Sequence, residues 1–209
     1  MARKFALVIG NSQYDDPKLG RLKAPYAAQW QARRAAQDEA TKKGEPLATL
    51  GSECLPYGMT RVWPIAMIQK PTAIYMISGF MNSLRTVYLD GRQHSDPDIV
   101  VPSFNGESIG KWEGDTLVID TKYFVDDHHW IDSGIPASDQ LHIVERVKLV
   151  NAGKTLEIAY TLTDPKNWEG DWKVTKRWSR QDDTDIAEVS CLPDLNQHMP
   201  STQSKENVR

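Results

Sequence analysis

From residue 59 onward, the chain alternates short runs rich in β-branched and aromatic residues with clusters of Gly, Pro, Asn and Asp. That alternation is typical of strands joined by turns, because branched and aromatic side chains fit a pleated sheet and the other residues favour turns. Two weaker runs, residues 1–10 and 186–191, have the composition of further strands. The clearest runs cover residues 72–80, 84–89, 115–123, 141–150, 155–163 and 172–180.

One segment, residues 25–43, has a helical composition. It is rich in alanine, Pro25 stands where a first-turn proline belongs, and Gly44 and Pro46 follow its end. The alanine-rich surface favours a helix that lies across a barrel or packs on a partner subunit, which allows a homodimer.

The order of these elements predicts a mainly β protein, because about seven strands accompany one helix and no β–α alternation exists. Short turns between successive strands predict an antiparallel meander β-barrel of the lipocalin-like kind, with a β-sandwich as the alternative. Residues 151–154 (NAGK) are expected to form a hairpin turn. We expect three parts: residues 1–58 as an arm with one helix, 59–195 as the barrel domain and 196–209 as a flexible tail.

Bulk properties narrow the class of protein. The net charge of −3 gives no basic surface for nucleic acid. No run approaches the roughly 20 apolar residues of a membrane helix. The apolar run near the N-terminus is too short for a secretory signal, so the chain as written is expected to be cytoplasmic. Seven Trp and seven Tyr suit a core, a barrel lining and a cavity for an apolar guest.

Two cysteines, Cys54 and Cys191, lie near opposite ends of the expected domain. Two are too few for a disulfide scaffold. The residues alone leave two alternatives open, which are one bridge that pins the ends together and two free thiols in a reducing compartment.

Two tempting motifs are expected to carry no chemistry. Residues 106–110 (GESIG) match G-x-S-x-G, but a nucleophile elbow needs a strand before the serine and a helix after it, and here a strand follows. Residues 126–129 (DDHH) offer metal ligands, but neighbouring strand residues point to opposite faces. We therefore expect no metal and no cofactor.

Glu145 is out of place in its strand, because it shares a face with Leu141, Ile143 and Val147. Burial of an unpaired charge costs several kcal/mol, so this carboxylate must be paired or catalytic. Arg92 and Arg177 are the expected partners in a salt bridge. The other face carries His142 and Arg146.

A second group follows the run at residues 84–89. If the strand continues through Gly91, then Tyr88, Asp90, Arg92 and His94 share one phase, and Asp90 orients His94 for proton transfer. The alternative is a turn after Leu89, because Asp-Gly favours turns.

A third group surrounds Gly114, which is expected to form a hairpin turn or a bulge. Glu113 and Asp115 share a phase with Leu117 and Ile119, whereas Trp112 shares one with Asp120. Both phases mix polar and apolar residues, as in a barrel wall with a partly polar interior. The candidate catalytic residues are Asp90, His94, Arg92, His142, Glu145 and Glu113, and the candidate substrate-binding residues are Tyr88, Trp112, Asp115, Asp120 and Arg146.

Long motifs resemble a large group of bacterial hypothetical proteins, many of them exported, over about residues 26–191. The resemblance leaves a periplasmic or secreted location open and implies a Cys54–Cys191 disulfide. Glu107 and Ala137 depart from the pattern, since the group often has His at both positions. The motifs are residues 54–61 (CLPYGMTR), 88–94 (YLDGRQH), 105–121 (NGESIGKWEGDTLVIDT), 138–146 (SDQLHIVER) and 163–165 (TDP).

In size, aromatic content and lack of cofactor motifs, the chain is also similar to bacterial α-pinene oxide lyases, which open a terpene epoxide to an unsaturated aldehyde. This implies a cofactor-independent lyase or isomerase acting on a small hydrophobic epoxide. His94 and Asp90 are then the expected acid–base pair, Arg92 holds the oxygen, and Trp112 and Tyr88 line the cavity. A non-catalytic hydrophobic-ligand-binding barrel and an epoxide or ester hydrolase are the alternatives.

Overall fold

The structure is a computed structural model that describes residues 23–44, 54, 58, 66–78, 83–126 and 137–180. These residues form one helix and eight strands. The bounds are α1 Ala24–Lys43, β1 Ala66–Lys70, β2 Ala73–Ser78, β3 Ser83–Tyr88, β4 Glu107–Glu113, β5 Thr116–Lys122, β6 His142–Val150, β7 Thr155–Thr163 and β8 Asp171–Ser179.

Helix α1 matches the expected helix within one residue. Pro25 lies in its first turn, and Gly44 ends it in the left-handed conformation (φ 71°), with its N–H donating to the Thr41 carbonyl at 3.1 Å. Ala27 and Trp30 are buried and pack with the core of the sheet. Among the described residues, no helix is long and apolar enough to cross a membrane.

The eight strands form one curled half-barrel sheet in sequential order, β1 to β8. The prediction of a mainly β, lipocalin-like architecture with an N-terminal helix is therefore confirmed. The prediction of an antiparallel meander was wrong at one position, because β3 and β4 pair in parallel through Val87 with Ser108 and Tyr88 with Ile109. Residues 89–106 form the long connection that parallel neighbours require.

Alternation of side chains gives the sheet a buried inner face and a half-exposed outer face. In β5, Leu117 and Ile119 are buried, whereas Asp120 between Ile119 and Thr121 faces outward. Burial of each large apolar side chain contributes about 1.5 to 3 kcal/mol. The inner face forms one core with Ile74, Met76, Val87, Leu117, Ile119, Ile143, Val147, Ile158, Tyr160 and Leu162.

Two hairpin turns were predicted correctly. Between β6 and β7, Asn151 and Ala152 both have φ 54°, and the Gly153 N–H donates to the Val150 carbonyl at 3.2 Å. Positive φ at two consecutive residues matches the twist of an antiparallel pair. Between β4 and β5, Gly114 has φ 62°.

Strands β1 and β4 were not predicted as strands. In β4, residues such as Glu107, Gly110 and Lys111 have low intrinsic strand preference. Pairing with both β3 and β5 makes the segment a strand nonetheless. Ser108 of the G-x-S-x-G motif lies inside this strand and is fully buried, so the motif is not a nucleophile elbow. The strands expected at residues 1–10 and 186–191 and the tail at 196–209 lie outside the described residues.

Cys54 is disulfide-bonded. The chain has one other cysteine, Cys191, which lies outside the described residues. A bridge at Cys54 agrees with the pairing that the family resemblance implies, and it argues against the alternative of free thiols.

Candidate functional site

A buried polar cluster lies on the inner face of the sheet and consists of Arg85, Ser108, Thr121 and Glu145. Arg85 makes a two-pronged ion pair with Glu145, in which Nη1 lies 3.1 Å from Oε1 and Nη2 contacts Oε2. The same guanidinium donates to Ser108 Oγ at 2.9 Å and to Thr121 Oγ1 at 2.7 Å. Arg85 and Glu145 are 4% and 1% exposed, so both charges are removed from water and satisfied by each other.

The prediction that Glu145 lies in an apolar row was correct, but both expected partners were wrong. Arg92 pairs with Asp90, with Nη2 and Oδ2 2.6 Å apart. Arg177 pairs with Glu157 on the neighbouring strand, with Nη2 and Oε2 2.5 Å apart. Glu145 therefore has the structural contacts of a buried salt bridge.

A second cluster lies on the outer face, and we call it the histidine–carboxylate cluster: His94, Glu107, Asp120 and His142. Both His94 Nε2 and His142 Nε2 lie 2.9 Å from the same oxygen, Asp120 Oδ1. The other ring nitrogen of His94, Nδ1, lies 3.0 Å from Glu107 Oε2. Two imidazoles and two carboxylates thus form one continuous chain, Glu107–His94–Asp120–His142.

Each member comes from a different element. Glu107 is the first residue of β4, Asp120 lies in β5, His142 begins β6, and His94 lies in the connection 89–106. Register brings the strand residues together, because Asp120 and His142 both face outward and their strands are neighbours. The cluster is thus built by the sheet and completed by the loop.

Hydrogen bonds next to His94 attach the connection 89–106 to the sheet. The Ser95 N–H and hydroxyl donate to the two Glu107 oxygens, at 2.9 and 2.5 Å. The Tyr123 hydroxyl donates to the Ser95 carbonyl at 2.8 Å, and the Tyr123 ring lies edge-on to the His94 ring. Tyr123 has φ 62°, an uncommon conformation for a bulky residue, so the surrounding contacts hold a strained backbone here.

The two histidines differ in access. The His94 side chain is 12% exposed and both of its ring nitrogens have partners, whereas His142 is 35% exposed. Within the described part of the chain, the Nδ1 atom of His142 makes no hydrogen bond. His142 is therefore the more accessible of the two histidines.

Charge in the cluster follows from these contacts. Burial raises the pKa of Asp120, but hydrogen bonds from His142 and His94 and their charges outweigh it and bring the pKa from 3.8 to about 2. Burial likewise raises the pKa of Glu107, but hydrogen bonds from Ser95 and His94 lower it below its ordinary value. Both carboxylates are ionised near neutral pH.

This lowered pKa gives a testable dependence of stability on pH. Because the pKa of Asp120 in the folded state (about 2) lies below its ordinary 3.8, the group stabilises the fold above that value and loses the effect as the pH falls. We expect the free energy of unfolding, measured with urea, to fall between about pH 4 and about pH 2, and to fall less in Asp120→Asn. Asp38→Asn, an exposed helix substitution, is the control, and identical slopes for Asp120→Asn and Asp38→Asn would contradict the assignment.

The alignment of Tyr88, Asp90, Arg92 and His94 on one strand face is not observed, and the alternative, a turn after Leu89, is confirmed. Strand β3 ends at Tyr88, and Gly91 adopts φ 80°, so the chain turns. Asp90 binds Arg92, whose guanidinium also stacks on the Tyr88 ring at 3.8 Å. The structure thus brings Asp90 to Arg92 and brings His94 to Glu107 and Asp120.

The remaining candidates lie toward the β4–β5 turn. Glu113 pairs with Thr116 across the turn and faces outward, so the expected shared phase with Leu117 was wrong. Glu113 accepts hydrogen bonds from Lys111 and from Arg146, which lower its pKa. Trp112 is 48% exposed and Asp115 is exposed in the turn itself.

Among the predicted residues, the cluster unites His94, Asp120 and His142. Sequence reasoning missed Glu107 as a member of the cluster and Tyr123 as the residue that holds the loop beside it. Glu107 was noticed only as a departure from the group's pattern. A partial signal was present, since Glu107 and Asp120 lie on opposite sides of the Gly114 turn. The hairpin register pairs Glu107 with Lys122 and Asp120 with Ile109, which places Glu107 and Asp120 on one face. Tyr123 gave no signal, because its role depends on a positive φ.

Of the metal-capable run at residues 126–129, Asp126 lies within the described residues and the other three lie outside them. Within the described ranges, no group of three or more His, Cys, Asp or Glu side chains is arranged to hold a metal ion.

Comparisons with protein-family models, with curated proteins and with solved structures found no match. The resemblance to the bacterial group, which rests on sequence motifs, stays a prediction. The resemblance to α-pinene oxide lyases, which rests on size, aromatic content and the lack of cofactor motifs, also stays a prediction.

Proposed function

We propose that the protein is a cofactor-independent lyase or isomerase that opens a small hydrophobic epoxide, and that Asp120 and His142 are its acid–base pair. One observation supports this most strongly: an ionised carboxylate holds Nε2 of a half-exposed histidine whose Nδ1 makes no hydrogen bond within the described residues. An imidazole oriented in this way can give or take a proton at its open nitrogen near neutral pH.

The roles within the pair follow from hydrogen-bond chemistry. An ionised carboxylate only accepts hydrogen bonds, so Asp120 fixes the proton of neutral His142 on Nε2 and leaves the lone pair on Nδ1. Protonated His142 carries a second N–H at Nδ1 and is stabilised by the Asp120 charge. This replaces the Asp90–His94 pair expected from the sequence, because Asp90 is bound by Arg92.

The proposed reaction needs no co-reactant. His142 donates the Nδ1 proton to the epoxide oxygen, the bond between that oxygen and carbon breaks with its electron pair going to oxygen, and a carbocation forms. After the carbon skeleton rearranges, the cation loses a proton, which returns to Nδ1. The product is an isomer of the substrate, and the enzyme regains its starting protonation state.

The surroundings of Asp120 favour an apolar substrate. Ile109 and Val144 are its direct cross-strand neighbours on the same face, and both are half-buried. Tyr88 continues this row beside Ile109, although Arg92 covers one face of its ring. A hydrocarbon group placed over Ile109 and Val144 would lie on the same face of the sheet as His142.

The proposal is tested by incubating the purified protein with α-pinene oxide. We expect an isomeric aldehyde to form faster than in buffer, without oxygen from ¹⁸O-labelled water. A diol that contains ¹⁸O identifies a hydrolase instead. Saturable binding without any product identifies a ligand-binding protein, and either of these two results would overturn the proposed lyase activity.

A further inference from the structure

We propose that His94 is a positioning residue. It is an imidazolium held between Glu107 and Asp120, and it fixes the Asp120 carboxylate that orients His142. The catalytic meaning of this role rests on the proposed function, whereas the charge state and the contacts of His94 do not.

The hydrogen-bond inventory of His94 supports the imidazolium. A neutral imidazole has one N–H, whereas the imidazolium has two. Both ring nitrogens face carboxylate oxygens, Nδ1 toward Glu107 at 3.0 Å and Nε2 toward Asp120 at 2.9 Å. Ionised carboxylates accept hydrogen bonds and donate none, so only the imidazolium satisfies both contacts.

Glu107 is itself held in place, and this makes the arrangement rigid. Its two oxygens accept hydrogen bonds from the hydroxyl and the N–H of Ser95. The Tyr123 hydroxyl donates to the backbone carbonyl of Ser95. The charged groups around His94 are Glu107, Asp120, His142 across the shared oxygen, and Arg92, whose charge acts on Glu107. Glu107 therefore holds the His94 ring in place, and the His94 ring holds the Asp120 carboxylate in place.

Both histidines contact the same oxygen of Asp120, and this contact links the position of His94 to that of His142. Asp120 Oδ1 accepts a hydrogen bond from each of the two imidazoles. The carboxylate therefore cannot rotate away from His142 without breaking the contact with His94. The positive charge of His94 also offsets part of the Asp120 charge. His94 is 12% exposed and bonded at both nitrogens, so it acts through Asp120 and not on the substrate.

The charge state is measured by ¹⁵N NMR of the wild-type protein labelled at histidine. At pH 7 we expect His94 to show two protonated nitrogens, and we expect His142 to carry a proton on Nε2. Signals are assigned with His94→Gln and His142→Gln. A neutral His94 in the folded wild-type protein would overturn the proposal, whether or not the protein opens epoxides, because the charge state is observed in the wild-type protein itself.

The positioning role is measured with Glu107→Gln, which keeps the size of the side chain and removes its charge. We expect the doubly protonated signal of His94 to be lost at pH 7 and kcat for epoxide opening to fall about 10- to 100-fold with KM little changed, because misplacement of a catalytic group has effects of that size. Glu157→Gln, a matched substitution at a carboxylate paired with Lys148 and Arg177, should change neither.

The outcomes separate the two proposals. If wild-type protein opens no epoxide but His94 is an imidazolium that depends on Glu107, the proposed function fails and the arrangement stands. If epoxide opens and Glu107→Gln leaves the His94 signal and kcat unchanged, the positioning role is wrong and the function stands.

Discussion

Replacement of Glu145 by glutamine is expected to lower the free energy of unfolding by about 3 to 5 kcal/mol, because it leaves the Arg85 guanidinium buried without its counter-charge. Both side chains are almost completely shielded from water, and the ion pair has two contacts. Ser108 and Thr121 also bind the guanidinium, but hydroxyl groups do not replace a negative charge. Urea denaturation at pH 7 measures the change.

Two companion variants identify the cause of that loss. Glu157→Gln removes a carboxylate that pairs with the half-exposed Arg177, and it should have a much smaller effect because solvent screens that pair. The double substitution Arg85→Met with Glu145→Leu should recover most of the stability, since an apolar pair leaves no buried charge. A Glu145→Gln protein as stable as the wild type would show that Arg85 is not buried as described.

The buried pair of Arg85 and Glu145 could be predicted only in part from the sequence. Alternation in β6 placed Glu145 in an apolar row, and the structure confirms it, because period-2 patterns report which face a residue occupies. The partner could not be predicted in this way. Arg85 lies on β3, and β4 and β5 separate it from β6 in the sheet order. The curl of the sheet brings their inner faces together, and a local pattern does not contain that curvature.

The histidine–carboxylate cluster was predicted in part for a similar reason. His142 was predicted on the face opposite the apolar row of Glu145, which strand alternation determines locally. Asp120 was predicted to share a phase with Trp112, which was wrong, because Trp112 pairs with Leu117 and Asp120 pairs with Ile109. His94 was assigned to the wrong partner, because the pattern was extended through Gly91, where positive φ turns the chain. Because β3 and β4 pair in parallel, the connection between them crosses the sheet and places His94 beside Glu107 and Asp120. The local sequence does not contain a pattern that predicts this long-range contact.

Replacement of His142 by alanine is expected to slow epoxide opening by about 100- to 10,000-fold, which is the usual contribution of a positioned acid–base group. The fold should persist, because His142 is half-exposed at the first position of β6 and is absent from the core. Initial rates with α-pinene oxide measure the effect. Lys148→Ala, on the same strand and the same face, is the matched control and should keep the wild-type rate. Equal rates for His142→Ala and Lys148→Ala would remove His142 from the chemistry.

The most direct test of proton transfer at His142 is the rate of α-pinene oxide opening by the His142→Ala variant with and without added imidazole. If the open nitrogen of His142 moves the proton, free imidazole that enters the space left by the ring should restore part of the rate, and it should leave the Lys148→Ala rate unchanged. If imidazole restores nothing while wild-type protein opens the epoxide, proton transfer by His142 is contradicted.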